Sequence, residues 1–196
     1  MQIARDIVID VFAYRGHIVP RLRGWMQRMT AGGYEVREVR CRHNIDIERN
    51  ASVDRFLKQD VPTGARHLLM LDADMVPVAA TEPILSASGD LVYCGCRGQG
   101  GSHGHYGDGD LGCGCVRMSA TMLEDMRKAD DFRGWFSFGC NVDRTQQTAC
   151  ECHTFRDKAR AAGFTSRMVG VIGHTVEAII LPEPKAKAGF VMQWTA

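Results

Sequence analysis

No run of residues in this chain approaches the roughly 20 apolar positions that a membrane-spanning helix requires. An excess of charge is missing as well, since 24 Lys and Arg stand against 23 Asp and Glu for a formal net charge of +1. Such a balance gives no electrostatic case for bulk binding to nucleic acid or to a membrane surface. Lysine is scarce: 19 of the 24 basic residues are arginine, a ratio that suits bidentate anion binding but is equally the mark of coding bias. The opening stretch, MQIARDIVIDVFAYRG, has an apolar run broken by Asp10 and no small-residue cleavage site, so it reads as a first strand and not as a signal peptide. The expected location is therefore the cytoplasm, where the eight cysteines stay reduced. Zinc-knuckle C-x-x-C spacing is absent; three C-x-C pairs occur instead, Cys94 with Cys96, Cys113 with Cys115 and Cys150 with Cys152.

What is present is a globular composition, 45% hydrophobic and 24% charged over 196 residues, enough for one well-packed domain. IVIDVFA (Ile7 to Ala13) has strand composition, and IVPRLRGWMQRM places Leu22, Trp25, Met26 and Met29 at helical spacing. Gly32 and Gly33 stop that helix, and YEVREVR alternates like a half-buried strand. IERNASVDRFLKQ predicts a second helix with Ile47, Ala51 and Phe56 or Leu57 on its apolar face. HLLML is a continuous apolar run, as for a strand covered on both sides of a mainly parallel sheet. ATEPILSAS reads as a short helix, DLVYCG as a strand, GCGCVRM as a strand, SATMLEDMRKA as a helix capped by Ser119, and CECHTFRDKARAAG as a final helix stopped by Gly163. SRMVGVIGH and EAIILP close the pattern. The expectation is a single α/β domain over residues 1–182, with a central mixed, mainly parallel sheet flanked by helices, and a tail over 183–196.

The HLLML run ends on Asp72 and Asp74, and ADMVP then leads back toward the surface. Residues two apart in a strand point to one face, so the two acids converge if the extended geometry persists past Leu71. At the carboxyl end of a parallel strand the chain emerges into a crevice, where a divalent cation offsets the repulsion between two carboxylates. The bland alternative is a solvated turn in which one Asp caps the following segment. From Arg97 to Leu111 the sequence RGQGGSHGHYGDGDL is too rich in glycine to pack and carries His103, His105, Asp108 and Asp110, which suits a loop over a ligand.

Around this pair the chain resembles the GT-A glycosyltransferase family, in particular its small members related to glycosyltransferase family 2. An apolar strand ending in D-x-D, the strand exit from Asp10 to Arg15, the helix ERNASVDRFL, the G-x-G strand LGCGCVRMSATMLEDM, the helix ECHTFRDKARAAGF and the strand end GVIGH follow one another as in that family. The resemblance implies a Rossmann-like GT-A fold and transfer of a sugar from a nucleotide diphosphate sugar to a hydroxyl acceptor, dependent on Mn²⁺ or Mg²⁺. It implies metal ligation by Asp72, Asp74 and His174, nucleotide contacts from Ala13, Tyr14, Arg15, Arg49 and Asn50, and donor-sugar contacts from Gly112 and Gly114. Asp74 and Glu151 carry the implied catalysis. The family's catalytic Asp, however, is replaced here by Cys152. Glu151 is the nearest acid, one residue and so about 100° away on a regular helix, with Asp143, Asp108 and Asp110 as substitutes.

Three other readings stand beside this one. The chain can be a nucleotide-sugar binding protein of the same fold without turnover, or, less well, a nucleotidyltransferase, whose basic glycine-rich phosphate loop VFAYRGHIVPRLRG fits poorly. The thiols with His153 can also form a zinc or iron–sulfur site. Against this last reading, the pairs at 94 to 96 and 113 to 115 fall in predicted strands, where both thiols of a pair face one side and pack as small apolar groups. His17 and His43 carry no assigned role. The acceptor stays open among a small glycan, a protein hydroxyl and a hydroxylated base in phage DNA, and no oligomeric state follows from the sequence.

Overall fold

The computed structural model describes residues 6–14, 16–97, 113–129, 132–140 and 147–175. Arg15, Gly112, the loop residues His103, His105, Asp108 and Asp110, as well as Asp143, EAIILP and the 183–196 tail, lie outside the described residues. The described elements are β1 (Ile7–Tyr14), α1 (Pro20–Ala31), β2 (Glu35–Cys41), α2 (Ile45–Arg55), β3 (His67–Asp72), β4 (Met75–Val76), β5 (Leu91–Arg97), β6 (Cys115–Ser119), α3 (Ala120–Arg127), β7 (Gly139–Cys140), β8 (Gln147–Ala149), α4 (Glu151–Ala161) and β9 (Ser166–His174). A π turn, Phe56–Asp60, extends α2, and a 3₁₀ segment, Ala79–Leu85, precedes β5.

Seven strands form one mixed sheet in the order β2-β1-β3-β6-β5-β9-β4. β1 is parallel to β2 and β3, β6 is antiparallel to both β3 and β5, and β9 is parallel to β5 and antiparallel to β4. Five of the seven strands thus run in one direction, as expected of a mixed, mainly parallel α/β sheet. Alternation along the strands divides the core in two. Val8, Phe12, Leu68, Met70, Val116 and Met118 meet Val53 and Phe56 of the α2 region, Met122 and Met126 of α3 and Phe155 of α4. Ile7, Ile9, Val11, Leu69, Leu71 and Cys115 meet Leu22 and Trp25 of α1 and Ile84 of the 3₁₀ segment on the opposite face. Each large apolar side chain buried this way contributes about 1.5–3 kcal/mol, and both layers together fix the strand register, because a slip by one residue would exchange the two faces.

Helix boundaries follow their local signals. Pro20 opens α1 where its missing N–H costs nothing, Ser119 Oγ accepts the N–H of Met122 at the start of α3, and Gly33 and Gly163 take positive φ just past their helices. Three expectations need correction. Ile47 and Ala51 of α2 are exposed, and its inward stripe is instead Arg49, Ser52 and Val53. Apolar periodicity missed that stripe because two of its members are polar and bond to buried acids of the sheet. ATEPILSAS forms 3₁₀ structure and not an α-helix, with Pro83 inside it lacking a donor. Finally, MVP does not return to the surface, since Met75 and Val76 are buried as β4, which pairs with β9.

Candidate active site

The five co-directional strands β2, β1, β3, β5 and β9 end at one edge of the sheet, on Cys41, Tyr14, Asp72, Arg97 and His174. Strand β6 starts from that edge, so the turn holding Cys113 and Gly114 lies there too. In open α/β sheets this carboxyl edge is where ligands bind.

Asp72 and Asp74 do not share a face. Extended geometry stops at Asp72, residues 73–74 form a turn, and the two carboxylates diverge. Asp72 follows Leu68 and Met70 toward the α2 side, where its Oδ1 accepts a hydrogen bond from Arg49 Nη2 at 2.7 Å. Asp74 turns toward β9, where its Oδ2 lies 3.1 Å from His174 Nε2 and its backbone carbonyl accepts the N–H of Thr175. The expected three-residue ligand set is thereby divided: Asp74 and His174 meet, and Asp72 is held by Arg49. The Asp74 side chain is half-exposed, but its Oδ1 is covered and has no hydrogen-bond partner among the described residues. Two ligand atoms about 3 Å apart on oxygen and imidazole donors, with a spare carboxylate oxygen beside them, fit a Mg²⁺- or Mn²⁺-type ion.

Arg49 is the centre of the other half. It is 1% exposed and its guanidinium lies 5.7 Å from the Phe12 ring centroid and 5.6 Å from that of Phe136, which leaves it with aromatic faces and carboxylates in place of water. Glu151 Oε1 approaches the other terminal nitrogen, Nη1, at 3.7 Å. Burial opposes the charge on Arg49, but Asp72 and, more weakly, Glu151 outweigh it and hold its pKa above the ordinary value. Burial also pushes the Asp72 carboxyl up, Arg49 pulls it back, and Asp74 adds to the rise. The Arg49 guanidinium keeps its charge near neutrality, because it does not release its proton.

Glu151 therefore does reach the site. It is the first residue of α4 and is 9% exposed, and at this helix start both it and Cys152 point inward. Glu151 faces Arg49 while Cys152 faces Cys113, whose backbone N–H donates to the Cys152 sulfur at 3.2 Å. Contact with Cys113 pushes the Cys152 thiol up, and contact with Cys152 does the same for Cys150. A thiolate nucleophile at this position is accordingly disfavoured.

Gly114 lies in the turn before β6, packed closely against Met75. Its carbonyl accepts the Asp72 N–H at 3.0 Å, and a Cβ on it would come 2.5 Å from Met75 Cε and 3.6 Å from Asp72 Oδ2. Ala13 has its side chain fully buried, whereas Tyr14 is 59% exposed at the edge. Asn50 corrects the expected nucleotide contact. Its Nδ2 donates to the carbonyls of Asp46 and Phe136, and its Oδ1 accepts from the N–H groups of Trp135 and Phe136. All four of its hydrogen-bonding positions are used, so it pins the loop that covers Arg49 and has none to offer a ligand.

The C-x-C pairs behave unequally. Cys94 and Cys115 are buried on the α1 face of the sheet, where they pack as small apolar groups. Cys113 belongs to the other face, so the 113 to 115 pair does not point one way. Cys150 Sγ, Cys152 Sγ and a Glu151 carboxylate oxygen lie within 4.8 Å of one another, the one such group of three ligand atoms among the described residues. Sequence spacing could not have found this cluster together with Cys113, because it joins a turn to a helix start 37 residues later.

No protein-family model matches this chain, and no curated protein does. Among solved structures it is similar to two proteins at low overlap, a nucleoside-diphosphate-sugar pyrophosphorylase from Vibrio cholerae RC9 (TM-score 0.39, 10% identity, 85% of this chain and 73% of that one) and a glycosyltransferase involved in glycosylation of the major capsid of PBCV-1 (TM-score 0.33, 9% identity, 87% and 93%). Overlaps of that size carry no argument about activity. With the A197 protein from STIV the TM-score is 0.55 at 15% identity, over 85% of this chain and 82% of that one, and the two chains share a fold.

Proposed function

We propose that this chain transfers a sugar from a nucleotide diphosphate sugar to a hydroxyl acceptor with the help of Mn²⁺ or Mg²⁺. The observation that carries the reading is the Asp74–His174 pair at the carboxyl edge, with one covered carboxylate oxygen left without a partner among the described residues. A divalent ion held by Asp74 and His174 would supply neutralisation of the charge that develops on a departing diphosphate. The chain's own groups do the rest. Tyr14 offers an exposed ring at the end of β1 against which a base can lie. Gly114 lets the Met75 side chain and the Asp72 carboxylate close in on the same backbone, where a Cβ would lie 2.5 Å from Met75 Cε. Arg49 meets Asp72 through Nη2 and Glu151 through Nη1, and keeps two carboxylates near the edge without a bare repulsion between them. Glu151 is the carboxylate assigned to take the proton from the acceptor hydroxyl.

A panel of nucleotide diphosphate sugars, assayed with Mn²⁺ for release of nucleoside diphosphate, tests this reading. The expected result is turnover of one donor class that requires the divalent ion and falls by about 10²-fold or more in kcat for Glu151→Gln, with donor affinity kept. Donor binding without turnover, across donors and candidate acceptors, would favour the second reading, a nucleotide-sugar binding protein. That reading is motivated by Cys152 at the position of the usual acid and by the tie between Glu151 and Arg49. Failure to bind any nucleotide sugar would defeat both.

A further inference from the structure

We infer that Cys150, Glu151 and Cys152 form a second cation site, separate from the Asp74–His174 pair and suited to a thiophilic ion of the Zn²⁺ type. The three residues lead from the end of β8 into α4, with Cys150 just before the helix and Glu151 and Cys152 in its first turn. Cys150 keeps extended backbone (φ −74°, ψ 163°) while Glu151 begins the helix. That change of geometry gathers side chains that a regular helix would fan out about 100° apart. The sulfurs of Cys150 and Cys152 and one carboxylate oxygen of Glu151 all lie within 4.8 Å of one another, and Cys152 Sγ is 3.9 Å from Glu151 Oε1. Tetrahedral Zn²⁺, with bonds of about 2.3 Å to sulfur and about 2.1 Å to oxygen, sets its ligand atoms about 3.5–3.8 Å apart. Small rotations of the three side chains bring them onto one ion, and water completes the fourth position.

The surroundings favour the ligated form. Cys152 Sγ accepts the backbone N–H of Cys113 at 3.2 Å, and Cys150 Sγ lies 3.4 Å from His153 Nδ1; outer partners of this kind steady metal-bound thiolates. Two thiolates and a carboxylate on a dication leave one negative charge. Arg49 offsets it. This residue is 1% exposed, its Nη1 is 3.7 Å from Glu151 Oε1, and neither Nη1 nor Nε has a hydrogen-bond partner among the described residues. A buried guanidinium with unfilled donors gains from added negative charge beside it, and the dipole of the 11-residue α4 acts in the same sense at its amino end. Sulfur donors select against Mg²⁺ and Mn²⁺, so the hard ion proposed at Asp74 and the soft one here are told apart by their ligands. The consequence falls on Glu151: a carboxylate bound to the ion cannot also accept the proton of an acceptor hydroxyl. On the sugar-transfer reading, which that consequence rests on, an occupied site restrains the reaction. The site itself does not depend on that reading.

Metal-free, reduced protein titrated with Cd²⁺ and with Zn²⁺, with no sugar donor present, provides the test, read by thiolate-to-cadmium charge-transfer absorption and by calorimetry. The expected result is one equivalent bound with the intensity of two thiolates, and an affinity that rises with pH because each thiol must lose its proton. Loss of an outer partner alone costs such sites about 10–100-fold in affinity, so Cys150→Ser and Cys152→Ser should lose that much or more. Cys150→Ser, at a half-buried position, guards against the loss of fold that a change at the buried Cys152 could bring. Glu151→Gln keeps both thiols and the side-chain shape; its charge-transfer band should remain while affinity falls about tenfold or more. Cys96→Ser, on β5, should bind as the parent does. Absence of the band in folded, reduced protein would overturn the inference, as would a band that survives both cysteine substitutions or an affinity equal in Glu151→Gln and the parent. Because no donor takes part, a protein that fails to transfer sugar can still bind the ion, and the two proposals fail separately.

Discussion

Two aspartates of neighbouring strands, Asp10 in the middle of β1 and Asp74 just past the end of β3, meet opposite fates. Asp10 is fully buried. Its Oδ1 accepts from Arg37 Nε at 2.7 Å, and its Oδ2 accepts from Arg55 Nη2 at 2.8 Å and from the Ser52 hydroxyl. Arg37 reaches on to Asp60 at 2.9 Å. Both oxygens of Asp10 are thereby engaged, while Arg37 Nη2 and Arg55 Nε stay without a partner among the described residues. Asp74 pairs through Oδ2 with His174, and its Oδ1 accepts nothing from the described residues. An acid inside the sheet has to be saturated by the protein because water cannot reach it; an acid at the carboxyl edge can keep a vacancy for something that arrives later. The two carboxylates differ both in exposure, 0% for the Asp10 side chain against 51% for that of Asp74, and in the acceptor positions that the described residues fill.

The largest expected effect is on the closed side of this comparison. Asp10→Ala strips two arginines and a serine of their common acceptor and should lower unfolding free energy by about 3–5 kcal/mol in urea melts, with any residual ligand affinity lost only through unfolding. Next comes Gly114→Ala at the open edge. Its Cβ must displace the end of the Met75 side chain, and the expected cost is about 1–3 kcal/mol in stability, with a proportionally greater loss of donor affinity, measured by calorimetry, because the new methyl also approaches Asp72. A Gly114→Ala protein that binds donors as well as the parent would remove Gly114 from the site.

The smallest effect belongs to the amino end of the strand that carries the acids. Burial first, and Arg117 next, press the His67 pKa below its ordinary value of 6.5. The unfolded chain then binds more protons than the folded one between that depressed value and 6.5, so the contribution of His67 is complete above this window and is lost as the pH falls through it. Melting curves of His67→Gln, compared with the parent over this window, should lose less stability on acidification. A parallel decline in both proteins would assign the effect to other groups.

Much of this arrangement was legible in the sequence where a single element carried the signal. The apolar run from His67 to Leu71 became β3, Ser119 capped α3, and SRMVGVIGH became β9. What misled was any inference across elements. D-x-D predicted two acids on one face, yet the strand ended between them and sent one to α2 and one to β9. The R-N pair likewise shows nothing of its partners in the sequence: the amide of Asn50 is spent on the backbone of residues 46, 135 and 136, and Arg49 pairs with Asp72. The residues of α2 that look surface-like in sequence are inward because their partners, Asp10 and Asp72, lie in strands far along the chain. Cys113 met Cys152 for the same reason: a close contact between a turn and a helix start leaves no periodic trace.

The contrast between a saturated acid and an open one rests on what Asp74 can still bind. Mn²⁺ binding to the folded protein, followed by loss of the free-ion electron paramagnetic resonance signal, measures this directly in the parent and in Asp74→Asn. The account predicts that the variant keeps its stability within about 0.5 kcal/mol and loses Mn²⁺ affinity about tenfold or more, since removal of one ligand oxygen leaves His174 alone. Equal Mn²⁺ affinity in the two proteins, with both folded, would contradict it.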